Sequence, residues 1–199
     1  MKKSILLLST IALIVFACGK EKKEKNEEAS KEVVEKTNTE ITEASEPNTL
    51  SKKEKEDGWK LLFNGENSEN WKGYNTDSFP SDWKIKDGTL FMSGSGRGEA
   101  GSENGGDILY DEKFDNFHLK LEWKISEGGN SGIFYLGQES DEFNYIWETA
   151  PEMQVLDNEK HPDAMLGKDG NRQAGSLYDI YPAKPQNARP VGEWNEVEI

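Results

Sequence analysis

Nineteen of the 20 aromatic residues, all six Trp included, and 18 of the 19 Gly lie after residue 57. Only residues 58–199 can therefore enclose an apolar core, and the chain of 199 residues reads as one folded domain behind a long leader. Residues 19–57 hold 9 Lys, 12 acidic residues and no aromatic residue. Such a stretch buries too little apolar surface to offset the entropy lost on ordering. Residues 58–199 carry 13 Lys and Arg against 26 acidic residues, and the whole chain stands at −14. That sign excludes the basic face a nucleic acid requires. The single Cys excludes an internal disulfide and a Cys-rich zinc site.

Met1-Lys2-Lys3 is a short basic start, and Ile5–Phe16 is a mostly apolar run of about a dozen residues. It is too short to span a bilayer as a mature helix. It ends in Val15-Phe16-Ala17-Cys18-Gly19, a small residue followed by the chain's only Cys. This resembles a bacterial lipoprotein signal; an ordinary signal peptide that happens to contain a Cys is the alternative. The resemblance implies that residues 1–17 are removed and that Cys18 is lipidated. A multiply acylated Cys is a stable membrane anchor. Gly19 is not the Asp typical of inner-membrane retention, so the outer membrane of a bacterial cell envelope is the expected location. Residues 18–57 then form a lipidated, disordered tether with an r.m.s. span on the order of 35 Å.

The folded region reads as β structure. Trp59–Phe63 is a first apolar run, closed by Asn64-Gly65. Trp83-Lys84-Ile85-Lys86 and Thr89-Leu90-Phe91-Met92 flank Asp87-Gly88, a pair that favours a type I′ hairpin turn. Phe117–Ile125 alternates throughout, with Phe117, Leu119, Leu121, Trp123 and Ile125 on one side and His118, Lys120, Glu122 and Lys124 on the other. Ile133–Leu136 follows the Gly-rich turn 128–132, and Met153–Leu156, Leu177–Ile180 and Trp194–Ile199 are further strand candidates. Trp59, Trp83 and Trp123 sit in strand patterns that suggest core positions. No convincing helical period occurs after residue 58. Short strands separated by turn signals indicate an all-β sandwich or jelly roll. Trp194–Ile199 opens like a strand with nothing to close it, so the domain is expected to be truncated at its C-terminus.

Six pieces occur in series: Leu62-Phe63-Asn64-Gly65 with Trp71, Trp83–Leu90, Gly128–Phe134, Glu152–Asp157, Gly175–Asp179 and Gly192–Asn195. In that order they resemble the bacterial 3-keto-disaccharide hydrolase family, also described as 3-keto-glucoside 1,2-lyase / 3-keto-2-hydroxy-glucal hydratase domains. The resemblance implies a concanavalin-like jelly-roll sandwich over residues 58–199, incomplete at its C-terminus. It also implies cleavage of 3-keto-glycosides in bacterial glycan breakdown, with an oligosaccharide or glycoside as substrate. A ketone at C3 makes the C2 proton acidic. A base removes it, the enolate oxygen is stabilised, the C1–O bond breaks by elimination, and water can then add. The site needs a base, an oxyanion partner and a proton source for the leaving group.

For that chemistry, Glu152-Met153-Gln154-Val155-Leu156-Asp157 is the best strand. Glu152, Gln154 and Leu156 share one face. Glu152 is expected as base or metal ligand and Gln154 as its hydrogen-bonding or ligating partner; a solvent-facing pair on an outer sheet is the alternative. Tyr178 can supply a phenol as acid or oxyanion donor, or simply cap the core. Asn130 and Ser131, in the Gly-rich turn, can bind sugar hydroxyls or serve the turn alone. Trp147, with Tyr145, can stack on a sugar ring. His161 lies in the polar loop Asn158–Asp163 and is a substrate-binding candidate against a plain exposed residue. Gly94-Ser95-Gly96-Arg97-Gly98 resembles a phosphate loop but lacks the strand–turn–helix context, and reads as a loop on the cleft rim. The acidic surplus allows a divalent cation, but no EF-hand-like spacing locates one. No other cofactor is expected, and nothing in the chain fixes the oligomeric state.

Two other classes compete. In a laminarinase-like retaining glycosidase, Glu152 and Asp157 would be the carboxylate pair. Five positions apart on a flat strand they face opposite ways, roughly 16 Å apart, whereas retention requires about 5–5.5 Å. A non-catalytic carbohydrate-binding lipoprotein would instead leave Glu152 exposed on a convex sheet.

Overall fold

The computed structural model describes residues 46–92 and 106–199, which lie in one compact unit. The signal segment, Cys18, the tether up to residue 45 and the Gly94–Gly98 loop fall outside the described residues.

The described part is all-β, as the turn-and-strand pattern predicts, with one short helix at its start. Strand β1 (Trp71–Gly73) pairs antiparallel with β4 (Ile108–Tyr110), Trp71 opposite Tyr110. Strands β2 (Trp83–Lys86) and β3 (Thr89–Met92) form the predicted hairpin, Lys86 opposite Thr89. Asp87 and Gly88 both take positive φ, 50° and 72°, as a type I′ turn demands. Strand β5 (Lys120–Trp123) pairs with β8 (Asn195–Glu198), and Leu119 exchanges both backbone bonds with Ile199. The ladder covers the middle of Phe117–Ile125, and Phe117 itself is exposed.

Strand β7 (Glu152–Leu156) is flanked on both edges. On one side it pairs with β6 (Asn130–Phe134), Gly132 opposite Gln154 and Phe134 opposite Glu152. On the other, Gly175 N–H donates to Gln154 O, Gln154 N–H to Ser176 O and Tyr178 N–H to Glu152 O. Met153 through Asp157 are all buried in consequence. Leu156 packs with Ala164 and Ala174, and with Trp123 and Ala188 at the margin. The core thus sits at the C-terminal end of β7, and Glu152 stands half-buried at the other.

Several expectations change. Residues 46–57, assigned to the tether, hold a capped helix α1 (Lys52–Glu56): Ser51 Oγ accepts from Glu54 N–H, and Ser51 N–H donates to Glu54. Asn48 Nδ2 donates to Gly88 O at 2.8 Å, tying this segment to the hairpin turn. Trp59–Phe63 is not a strand, because Trp59 N–H goes back to Glu54 O. Of the three Trp expected inside, only Trp123 packs on the core; all three are half-buried, and Trp59 lies against His118. Asn130 and Ser131 belong to β6 rather than to a turn. Leu177–Ile180 forms a tight turn, Leu177 bridging both Met153 and Tyr181.

Candidate active site

The pairing around β7 fixes which side chains share a face. Glu152, Gln154 and Leu156 alternate with Met153 and Val155, and their neighbours across the ladders are Phe134, Gly132 and Asn130 on one side and Tyr178 and Ser176 on the other. Tyr178 is directly opposite Glu152. Ser131 points to the reverse face, away from this group.

The Glu152 side chain leans along the sheet over Gly132. A Cβ at position 132 would stand 2.7 Å from the Glu152 carboxyl carbon and 2.8 Å from its Cγ. Glycine there leaves the slot that the carboxylate fills. Burial, followed by the negative charges of Asp107 and Asp163, pushes the Glu152 carboxyl up to about 7. A carboxyl poised there exists as base and as acid near neutrality. Asp107, just before β4, is itself raised by burial.

Tyr178 donates its phenolic proton to Asp163 Oδ2 at 2.9 Å. Burial and that bond push the phenol up to about 12. Arg172 donates to Asp163 Oδ1 at 3.0 Å and grips Asp179 with two more bonds of 3.0 and 2.9 Å. The Arg172 grip holds the Asp179 carboxyl below its usual value. His161 accepts from Asp163 N–H through Nδ1 at 3.2 Å, capping the 3₁₀ turn Pro162–Met165 that carries Asp163. Its observed contact is with the turn that carries Asp163.

Gln154 is 1% exposed, and its Oε1 accepts from Val155 N–H. It lies beside Glu152 within the sheet rather than on an open surface. Asp157 is 2% exposed and takes the N–H groups of Gly128, Glu159 and Lys160. It builds the loop after β7, which argues against the retaining-glycosidase pair. Trp147 lies in the 3₁₀ turn Ile146–Glu148 and stacks on Tyr145, ring centres 4.0 Å apart and planes 9° apart. Asn130 is exposed at the start of β6. No group of three His, Cys, Asp or Glu able to hold a metal ion occurs among the described residues.

Sequence reasoning missed Asp107, Gly132, Asp163, Arg172 and Asp179. Only Arg172 left a signal: it is one of three Arg in a chain whose other basic residues are Lys, and Arg is the side chain suited to a two-pronged carboxylate grip.

Residues 58–199 match the family model described as 3-keto-alpha-glucoside-1,2-lyase-like domain. A 3-keto-disaccharide hydrolase of Bacteroides thetaiotaomicron is 46% identical over 196 residues, which cover 94% of this chain and 68% of that protein. A crystal structure from Parabacteroides distasonis, described as a candidate glycosyl hydrolase, superposes with a TM-score of 0.65 at 31% identity, covering 77% of this chain and 68% of the other.

Proposed function

Since this chain belongs to the family of 3-keto-alpha-glucoside-1,2-lyase-like domains and is an enzyme of the 3-keto-disaccharide hydrolase type, we propose that it cleaves 3-keto-glycosides by elimination across C1–C2. The observation that carries the reading is Glu152: a half-buried carboxyl, raised to about 7, lodged over Gly132 and facing Tyr178. In the elimination, Glu152 takes the C2 proton that the neighbouring ketone has made acidic. Charge moves onto the C3 oxygen, the C1–O bond breaks, and water adds to the unsaturated sugar, so the net result is hydrolysis. The half-burial of Glu152 also favours catalysis over a pure binding module. Gln154 supports the strand that carries Glu152. We assign Tyr178, Asn130 and the Tyr145–Trp147 pair to sugar oxygens and ring faces, on the hydroxyl, amide and aromatic surfaces they carry.

We also infer that the enzyme works in bacterial glycan breakdown at the cell envelope, anchored to the outer membrane through lipidated Cys18. Labelling with radioactive palmitate tests the anchor: label that persists in Cys18→Ser would refute it.

Turnover of 3-keto-glucosides and of the parent glucosides by full-length protein tests the reaction. The keto substrates are expected to react preferentially, and Glu152→Gln to lose about 10²–10⁴-fold in kcat. In deuterated water the elimination route places deuterium at C2 of the product. Equal turnover of both substrate types, or a C2 hydrogen fully retained, would exclude the mechanism.

A further inference from the structure

Tyr178 has one proton to give, and Asp163 already holds it at 2.9 Å. The other Asp163 oxygen accepts from Arg172 at 3.0 Å. Arg172 is itself fixed by its two bonds to Asp179 and lies 5.2 Å from the centre of the Tyr178 ring. The Asp163 side chain is 14% exposed and that of Arg172 26%, so water competes weakly for the bonds to Asp163, while the Asp179 end of the clamp is 46% exposed. A phenol offers one donor and two lone pairs. What Tyr178 presents to a molecule lying over Glu152 is therefore lone pairs.

We propose that Asp163, held by Arg172, is a positioning residue that makes Tyr178 a hydrogen-bond acceptor toward the sugar. The proposal rests on the reading that the keto-sugar lies over Glu152. It carries a selectivity, because a ketone oxygen only accepts and would meet Tyr178 lone pair to lone pair. A ring hydroxyl meets it as a donor. Tyr178 thus faces a hydroxyl beside the ketone, and does not protonate the departing oxygen. The atoms balance without a second acid. The C2–H and C1–O bonds break, a C1=C2 bond forms, and the proton Glu152 has taken from C2 passes to the leaving oxygen.

Two 3-keto-glucosides separate the roles. One releases p-nitrophenolate, which departs without protonation; the other releases methoxide, which needs a proton. Tyr178→Phe is expected to raise KM about ten- to a hundredfold on both, with kcat little changed. A kcat loss confined to the methyl glycoside would make Tyr178 the acid and overturn the proposal. At a pH well above 7, where Glu152 is ionised with or without the Asp163 charge, Asp163→Asn is expected to match Tyr178→Phe in KM, and the double variant to be no worse than either, since all three delete one oriented bond. Additive losses in the double variant would overturn it too. Should Asp163→Asn fail to fold, Arg172→Lys, which keeps the charge but gives up the two-pronged grip, is to show the same rise in KM; an unchanged KM refutes the role. Calorimetric titration of Glu152→Gln protein with the methyl 3-keto-glucoside reads the same contact without turnover. Asp163→Asn in that background is expected to weaken binding by the same factor, and unchanged affinity overturns the proposal. If Glu152→Gln instead turns the substrate over at the parent rate, the elimination reading fails, and the KM rise on adding Asp163→Asn in that background, or its absence, decides the role of Asp163.

Discussion

At Gly132 the missing side chain leaves the space that the Glu152 carboxyl group occupies. Its φ lies outside the left-handed region, so alanine meets no backbone strain there, and a strand gains about 0.5–1 kcal/mol when alanine replaces glycine. The added Cβ would instead collide with the Glu152 carboxyl group. Gly132→Ala is therefore expected to keep or raise Tm while lowering kcat on the order of 10²-fold, the cost of displacing a reacting group by about 1 Å. Thermal melts and steady-state kinetics on the same sample check both halves. Glu152 makes a second prediction. On the proposed elimination its deprotonated form acts as the base, so kcat/KM is expected to rise with pH through about 7. For stability the sign is opposite. The folded protein holds the Glu152 proton more tightly than the unfolded chain. The resulting stabilisation is complete below the ordinary carboxyl value of 4.5 and is lost as pH rises through about 7. Glu152→Gln should flatten that part of the stability–pH curve, measured by denaturant melts at several pH values. A slope unchanged by the substitution would mean the carboxyl titrates normally.

Among the elements, the β2–β3 hairpin was fully legible, because Asp87-Gly88 encodes its turn and the residues around it encode its register. Gly88→Ala should cost about 1–2 kcal/mol, since φ of +72° crowds a Cβ against its own backbone, and Asn48 Nδ2 is already 3.3 Å from where that Cβ would lie. Urea unfolding measures it as a lower midpoint at unchanged slope. The alternation of Phe117–Ile125 was legible in the same way, in that Leu119, Leu121 and Trp123 are the more buried side chains. Trp59–Phe63 misled because an apolar run states only that a segment packs, not where its backbone bonds go. Asn130-Ser131 misled in the reverse sense: turn-like residues form a strand when a neighbour such as β7 offers a full ladder of partners.

For the molecule as a whole, the cluster of buried apolar side chains found among the described residues is small: Leu156, Ala164 and Ala174. Leu156→Ala should cost about 2–5 kcal/mol, a large share of the about 5–15 kcal/mol typical of a domain. Denaturant melts on the intact chain test this, and a loss below about 1 kcal/mol would place the stabilising core elsewhere. The segregation of aromatics and Gly, the strand periods and the hairpin turn were decided by sequence alone, and the candidacy of Glu152 was proposed from it. They are local properties, carried by residues a few positions apart or by composition. Tertiary structure alone decided the surroundings of that carboxylate: the slot at Gly132, the charges of Asp107 and Asp163 beside it, and the Arg172 clamp that spans Asp163 and Asp179. Gly132 and Tyr178 flank Glu152 because β7 acquires partners on both edges, Asp107 arrives from the start of β4, and the paths of the loops that bring these groups together leave no periodic trace in the chain.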